Sequence, residues 1–112
     1  MKTEIFNYKE NNYTIIIGKN KKENWQLIDN CIETDVWFHV SDLPSCHVIL
    51  KNTISLSMLP IQVIKHCAYL CKINSNAKYE KKSSIIYTLI CNVKKTNIEG
   101  EVAVKNCKTV SL

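Results

Sequence analysis

Residues 35–50, DVWFHVSDLPSCHVIL, set two histidines, a cysteine and a tryptophan close together. Three chemistries could use them. Cys46 beside His47 offers a thiol next to a base. His39 and His47 offer two nitrogen ligands for a metal. Trp37 with both histidines offers a surface of rings for a flat ligand.

The spacing weighs against the first two. Neighbours in a strand project to opposite faces, so Cys46 and His47 would not meet, and no Asn or Asp is identifiable as a third, orienting member. A small cysteine at a turn explains the same letters. A metal needs three or four converging ligands, and the chain has neither C-x-x-C nor H-x-x-x-H. Cys67 and Cys71 lie four apart on one helix face, but Ile64 and Ala68 share that face, which reads as core. His39 with His47 is the better metal pair and lacks a third partner. No metal and no cofactor are expected. Phosphate cradles of the P-loop or dinucleotide kind need clustered glycines, and glycine occurs only at 18 and 100.

What remains is basic. In GKNKKEN, Lys19, Lys21 and Lys22 surround a helix start whose free amides already favour anions. A solvated lysine run would look the same. Lys94 and Lys95 form a second pair, in a segment read as a loop. Trp37, if exposed, would add a stacking face worth roughly 1–3 kcal/mol per unpaired base.

The elements that must position these groups follow from pattern. EIFNY and YTIIIG, the latter stopped by Gly18, read as strands joined through KENN. Asn20 and Glu23 fit a capping box opening a short helix over NKKENWQLIDN. DVWFHV and HVILK read as two strands joined by SDLPSC. Alternation puts Val36, Phe38, Val40, Val48 and Leu50 on one face and Trp37, His39, His47 and Ile49 on the other. PIQVIKHCAYLCKI reads as a helix begun at Pro60, with Ile61, Ile64, Cys67, Ala68 and Cys71 as its buried stripe. SSIIYTLI is a further strand, CNVKKTNIEG a loop, and EVAVKN with CKTVSL a closing hairpin. The fold class is α+β: one domain over 1–112, a mostly antiparallel sheet of five to seven strands, and two helices.

With 112 residues the chain suffices for one domain with a real core. The net charge is +5, and all fifteen basic residues are lysine. Six cysteines sit mostly among apolar neighbours and read as reduced thiols rather than a disulfide framework. No leader and no membrane span are expected, so the cytoplasm is the expected location.

IIIGKNKKEN, DVWFHVSDLPSCHVIL, IIYTLICNVKK and EGEVAVKNCKTV, in this order, resemble an NFACT-R domain, the presumed RNA-binding domain of fibronectin-binding-protein-like and ribosome-quality-control proteins. The likeness covers about residues 13–112. It is strongest to the short eukaryotic branch called coiled-coil domain-containing protein 25, without that branch's helical tail. The resemblance implies that Gly18, Asn20, Asn24, Asp35, Trp37, His39 and His47 are signature positions, that Lys19 is the basic residue after the glycine, and that Lys94 and Lys95 match the basic pair after the Y-T strand. Ser45 stands where glycine is common and Thr96 where proline is frequent.

On this reading the Trp–His cluster is one binding surface on a strand pair. Asp35 could accept from a histidine N–H, raising its pKa so that an imidazolium favours phosphate; a purely structural role for that pair fits equally well. The expected function is non-enzymatic binding of nucleic acid, RNA before DNA. Lys19, Lys21, Lys22, Lys94 and Lys95 would contact phosphates, with Asn20 and Asn24 beside them. Trp37, His39 and His47 would touch a base or ribose, and Gly18 and Asp35 would support the site. The alternatives are a module docking on the ribosome or another protein partner, or DNA as ligand.

Overall fold

A computed structural model describes all of residues 1–112. Strands β1 (Lys2–Tyr8) and β2 (Asn11–Gly18) form a hairpin. Its turn is two residues, Lys9 and Glu10, both at positive φ (49° and 69°), shorter than the expected KENN loop. Paired positive φ gives a turn whose twist matches that of the strands. Helix α1 (Lys21–Asp29) follows, then β3 (Val36–Val40), β4 (His47–Leu50) and helix α2 (Ile61–Ile73). The chain ends with β5 (Ser84–Leu89), β6 (Val93–Lys95), β7 (Val102–Val104) and β8 (Lys108–Ser111).

Six strands make one antiparallel sheet in the order β1-β2-β4-β3-β5-β8, and β6 pairs with β7 in a separate ribbon. The expected β7–β8 hairpin is not formed. The segment read as a loop around Lys94 and Lys95 contains strand β6, which takes β7 as its partner, while β8 crosses to the sheet edge beside β5. Val110 then pairs with Ile85 and packs against the main core, a burial that a β7–β8 hairpin would not provide.

Both faces of the sheet are covered. On one, Ile15, Ile17, Val36, Phe38, Val48 and Leu50 meet Val63, Ile64, Cys67, Ala68, Leu70 and Cys71 of α2. Ile61, expected in that stripe, is 49% exposed. At 100° per residue the buried arc is centred about 100° away from it. Pro60 serves as N-cap rather than first helical residue. On the other face Trp37 and Ile49 pack with Leu27 of α1 and with Ile90 and Val93. The alternation expected for β3 and β4 therefore holds, but its second face is a smaller core.

Three contacts seat α1 on that face. Gly18 is pressed against the helix so closely that a Cβ would lie 2.4 Å from Asn24 Oδ1 and 2.9 Å from Leu27 Cδ1. Asn20 caps the helix by accepting from Glu23 N at 2.9 Å. Glu23 closes the box one residue earlier than the usual pattern, accepting from Lys19 N at 3.0 Å. No helix is long and apolar enough to cross a membrane.

Candidate nucleic-acid interface

The second face of the sheet carries a cavity of about 540 Å³. Its floor is Trp37, His39 and His47, with Ile86 beside them. One wall is the β3–β4 loop, another is Lys21 and Asn24 of α1, and the third is the turn of the β6–β7 ribbon. That turn reaches α1 because Gly100, at φ 83°, has no Cβ; one built there would lie 2.8 Å from Lys21 Cβ. Trp25 pins the same contact, donating through Nε1–H to Glu101 O at 3.2 Å, while Lys95 Nζ lies 5.2 Å from its ring centre.

Each floor ring has a defined hydrogen-bonding state. Trp37 Nε1–H donates to His47 Nδ1 at 3.2 Å, so that nitrogen bears no proton and neutral His47 carries its proton on Nε2. His39 Nδ1–H donates to Val40 O at 2.6 Å, leaving Nε2 as a lone-pair acceptor. The imidazoles meet edge to face, 5.2 Å between centres, and His39 stacks on Trp37 at 5.5 Å. Burial pushes both pKa values down. For His47 the value falls to about 3, with repulsion from His39 adding to desolvation. The floor is uncharged at neutral pH.

Three expectations are corrected here. Trp37 is not an exposed stacking platform: it is 1% exposed, closed over by α1, the ribbon and His39. Asp35 does not hold a histidine or raise its pKa. It lies at the other end of β3, fully buried, accepting from Ile32 N at 3.0 Å and Asn52 N at 2.9 Å and ion-paired with Lys51. The lysines do not converge as one cluster. Lys21 borders the cavity, whereas Lys19 borders a second hollow with Lys78 near the end of α2. Lys95 is engaged with Asp29 and Trp25. Lys94, its neighbour in β6, projects from the ribbon's other face together with its partner Ala103.

Asn24, expected beside the phosphates, is buried and accepts from His47 N at 3.2 Å, latching α1 to the start of β4. Cys46 turns to the α2 side, its thiol 3.7 Å from Cys71 O, away from His47 on the other face. All six cysteines are free thiols. No group of three or more His, Cys, Asp or Glu side chains is placed to hold a metal ion. Ser45 has no positive φ; Asp42 takes it, at 60°, and Ser45 Oγ instead accepts from Val40 N at 3.1 Å. The sequence reading missed the acidic side of the cavity, formed by Asp42, Glu99 and Glu101. Its only signal was the run Glu99-Gly100-Glu101, whose approach to α1 depends on the unforeseen ribbon.

The profile of the family described as NFACT protein RNA binding domain matches residues 2–106. The chain belongs to this family. It is 39% identical over 87 residues to coiled-coil domain-containing protein 25 of Bos taurus, an alignment covering 75% of this chain and 42% of the relative. It is 33% identical over 85 residues to the Rqc2 homolog RqcH of Bacillus subtilis, covering 75% of this chain and 14% of that protein. The chain thus spans less than half the length of these relatives. The C-terminal part of the fibronectin/fibrinogen-binding protein from Streptococcus suis superposes with a TM-score of 0.85 at 22% identity, over 100% of this chain and 45% of that one, so the fold is shared. Gly18, Asn20, Asn24, Asp35, Trp37 and His47 all have structural partners, and His39, half-buried, bonds through Nδ1 to Val40 O and has no protein partner at Nε2.

Proposed function

We propose that this chain is a non-enzymatic nucleic-acid-binding module whose ligand is RNA. In this reading Lys19, Lys21, Lys22 and Lys94 engage phosphates, and a base or ribose lies over the histidine floor. Lys95 contributes less, because Asp29 and the Trp25 ring already engage its ammonium. Trp37 acts from beneath, holding both histidines in place, and Asn20, Asn24, Gly18 and Asp35 keep the frame. The observation that carries the reading is Lys21 at the mouth of a cavity floored by two uncharged imidazoles, in a chain of the RNA-binding family.

Four phosphate contacts give a slope of log K against log salt of about −3 to −4. The test is binding of single-stranded RNA across a salt series, for wild type and for a variant with Lys19, Lys21 and Lys22 changed to Glu. Binding that is flat in salt, or unaltered in the variant, refutes the proposal. The phosphate contribution is shared with DNA, so matched RNA and DNA strands report whether the 2′-hydroxyl is read. No arginine is present, which limits bidentate reading of bases to amide side chains and keeps sequence preference modest.

Docking on a ribosomal or other protein partner is the second reading. It draws on the apolar side chains of Met58, Ile61, Tyr69 and Ile73, which stand exposed around α2. The lysine variant separates the two, since it should lose RNA and keep such a partner.

A further inference from the structure

The histidine floor differs from a phosphate site in two ways. Its imidazoles are neutral, and the residues lining the cavity include three acidic ones, Asp42, Glu99 and Glu101, against one basic one, Lys21. A phosphate entering there would meet net negative charge. The floor instead presents two directed, unpaired groups: Nε2 of His39, which accepts, and Nε2–H of His47, which donates. Neither has a protein partner, and no partnerless side-chain nitrogen or oxygen is buried, so both atoms open to the cavity. His47 is otherwise 2% exposed. A buried side chain whose one free N–H points into a cavity is a recognition group, because leaving it unmatched on ligand entry is costly.

From this geometry we infer that the cavity takes a single unstacked adenine or cytosine, read on the edge where an exocyclic amino group adjoins an unprotonated ring nitrogen. The inference rests on the nucleic-acid reading above and deepens it. One amino N–H donates to His39 Nε2, and the ring nitrogen accepts from His47 Nε2–H. The amino group's second N–H faces the acidic wall. Uracil and guanine place a carbonyl oxygen on the same edge, which those carboxylates disfavour. The volume of about 540 Å³ accommodates one base, and Lys21 at the mouth suits the phosphate that follows it. Selection comes from imidazole nitrogens, which supply a single donor and a single acceptor without arginine.

The test uses labelled RNA heptamers that are uridine throughout, or carry adenine, cytosine or unsubstituted purine at the centre only. Affinities are read by fluorescence anisotropy at one salt concentration. Adenine and cytosine should bind about tenfold more tightly than uridine. Purine, which keeps the ring nitrogen and lacks the amino group, should lose that advantage. Val104→Trp, which fills the cavity from its exposed wall and leaves both histidines in the sequence, should abolish the preference while binding to the uridine heptamer keeps its salt slope. His39→Phe, which keeps a ring on Trp37 and removes both nitrogens, should also abolish the preference. If all heptamers bind equally with a steep salt slope, the phosphate reading stands and the base reading is overturned. If none binds, both are overturned. Should His39→Phe fail to fold, Val104→Trp decides alone.

Discussion

The floor of the cavity should be the part of this protein most sensitive to acid. His47 has an ordinary imidazole pKa near 6.5 in the unfolded chain and about 3 in the fold. Between those values the unfolded chain holds a proton that the native protein does not. Acid therefore draws the equilibrium toward unfolding, and stability rises with pH across that window. Full stability from neutral His47 is present above about pH 6.5, falls away as pH drops below it, and stops changing near pH 3. At pH 5 the loss from this one group is about 2 kcal/mol. His39 is also held below its ordinary pKa by burial and acts in the same direction. Urea unfolding, followed by fluorescence at pH 7 and pH 5, measures the combined effect.

The control is His47→Asn, whose side-chain oxygen can still accept from Trp37 Nε1–H but cannot titrate. It should lose about 2 kcal/mol less than wild type between the two pH values. Equal losses, or a His47 ring that titrates near pH 6.5 in the folded protein by NMR, would show that the floor is not desolvated as described. Protonation would also remove the acceptor that Trp37 donates to, so the indole of the folded protein should stay unchanged between pH 7 and pH 5 and respond only near pH 3.

Three further outcomes follow from particular contacts. Gly18→Ala puts a methyl group 2.4 Å from Asn24 Oδ1, so α1 must move; a loss of about 2–3 kcal/mol by thermal or chemical unfolding is expected. Asp35→Ala strands the amides of Ile32 and Asn52 and the Lys51 ammonium, costing about 3 kcal/mol without altering RNA salt dependence at temperatures where the variant is folded. Lys94→Glu should weaken RNA binding and lower the salt slope by about one, whereas Lys95→Glu should chiefly loosen the ribbon, measured as faster amide exchange at Val93 and Val102.

Much of the frame could be read from local pattern. The alternation in VWFHV and HVIL assigned every side chain of β3 and β4 to its correct face, and Asn20 and Glu23 announced the start of α1. What could not be read was what lies over the second face. Trp37 and Ile49 looked outward only because the cover, α1 and the β6–β7 ribbon, comes from segments more than forty residues apart. A three-residue strand such as Val93–Lys95 has too little pattern to declare itself, and its partner is chosen by packing. The clue available was that Ile16, Trp37, Ile49 and Ile86 would make a wholly exposed apolar face if nothing covered them.

The same cover changes what the residues singled out by the resemblance mean. Gly18 lets α1 approach, Asn24 latches it to β4, Asp35 ties the far end of β3 to the segment after β4, and Trp37 fixes the tautomer of His47. None of these side chains needs a ligand to account for its position. Their combined effect is to hold one acceptor and one donor, on rings whose centres are 5.2 Å apart, at the bottom of a cavity bordered by the ribbon turn. Affinity and selectivity are thereby assigned to separate parts. On the proposed reading, lysines at the corner would respond to salt and the histidine pair to the identity of the base. A ligand held by the corner alone would lose affinity with salt whatever base it carries. A ligand that also enters the cavity depends on the imidazoles staying uncharged, as burial keeps them, because a protonated His39 Nε2 has a hydrogen where the amino group must donate.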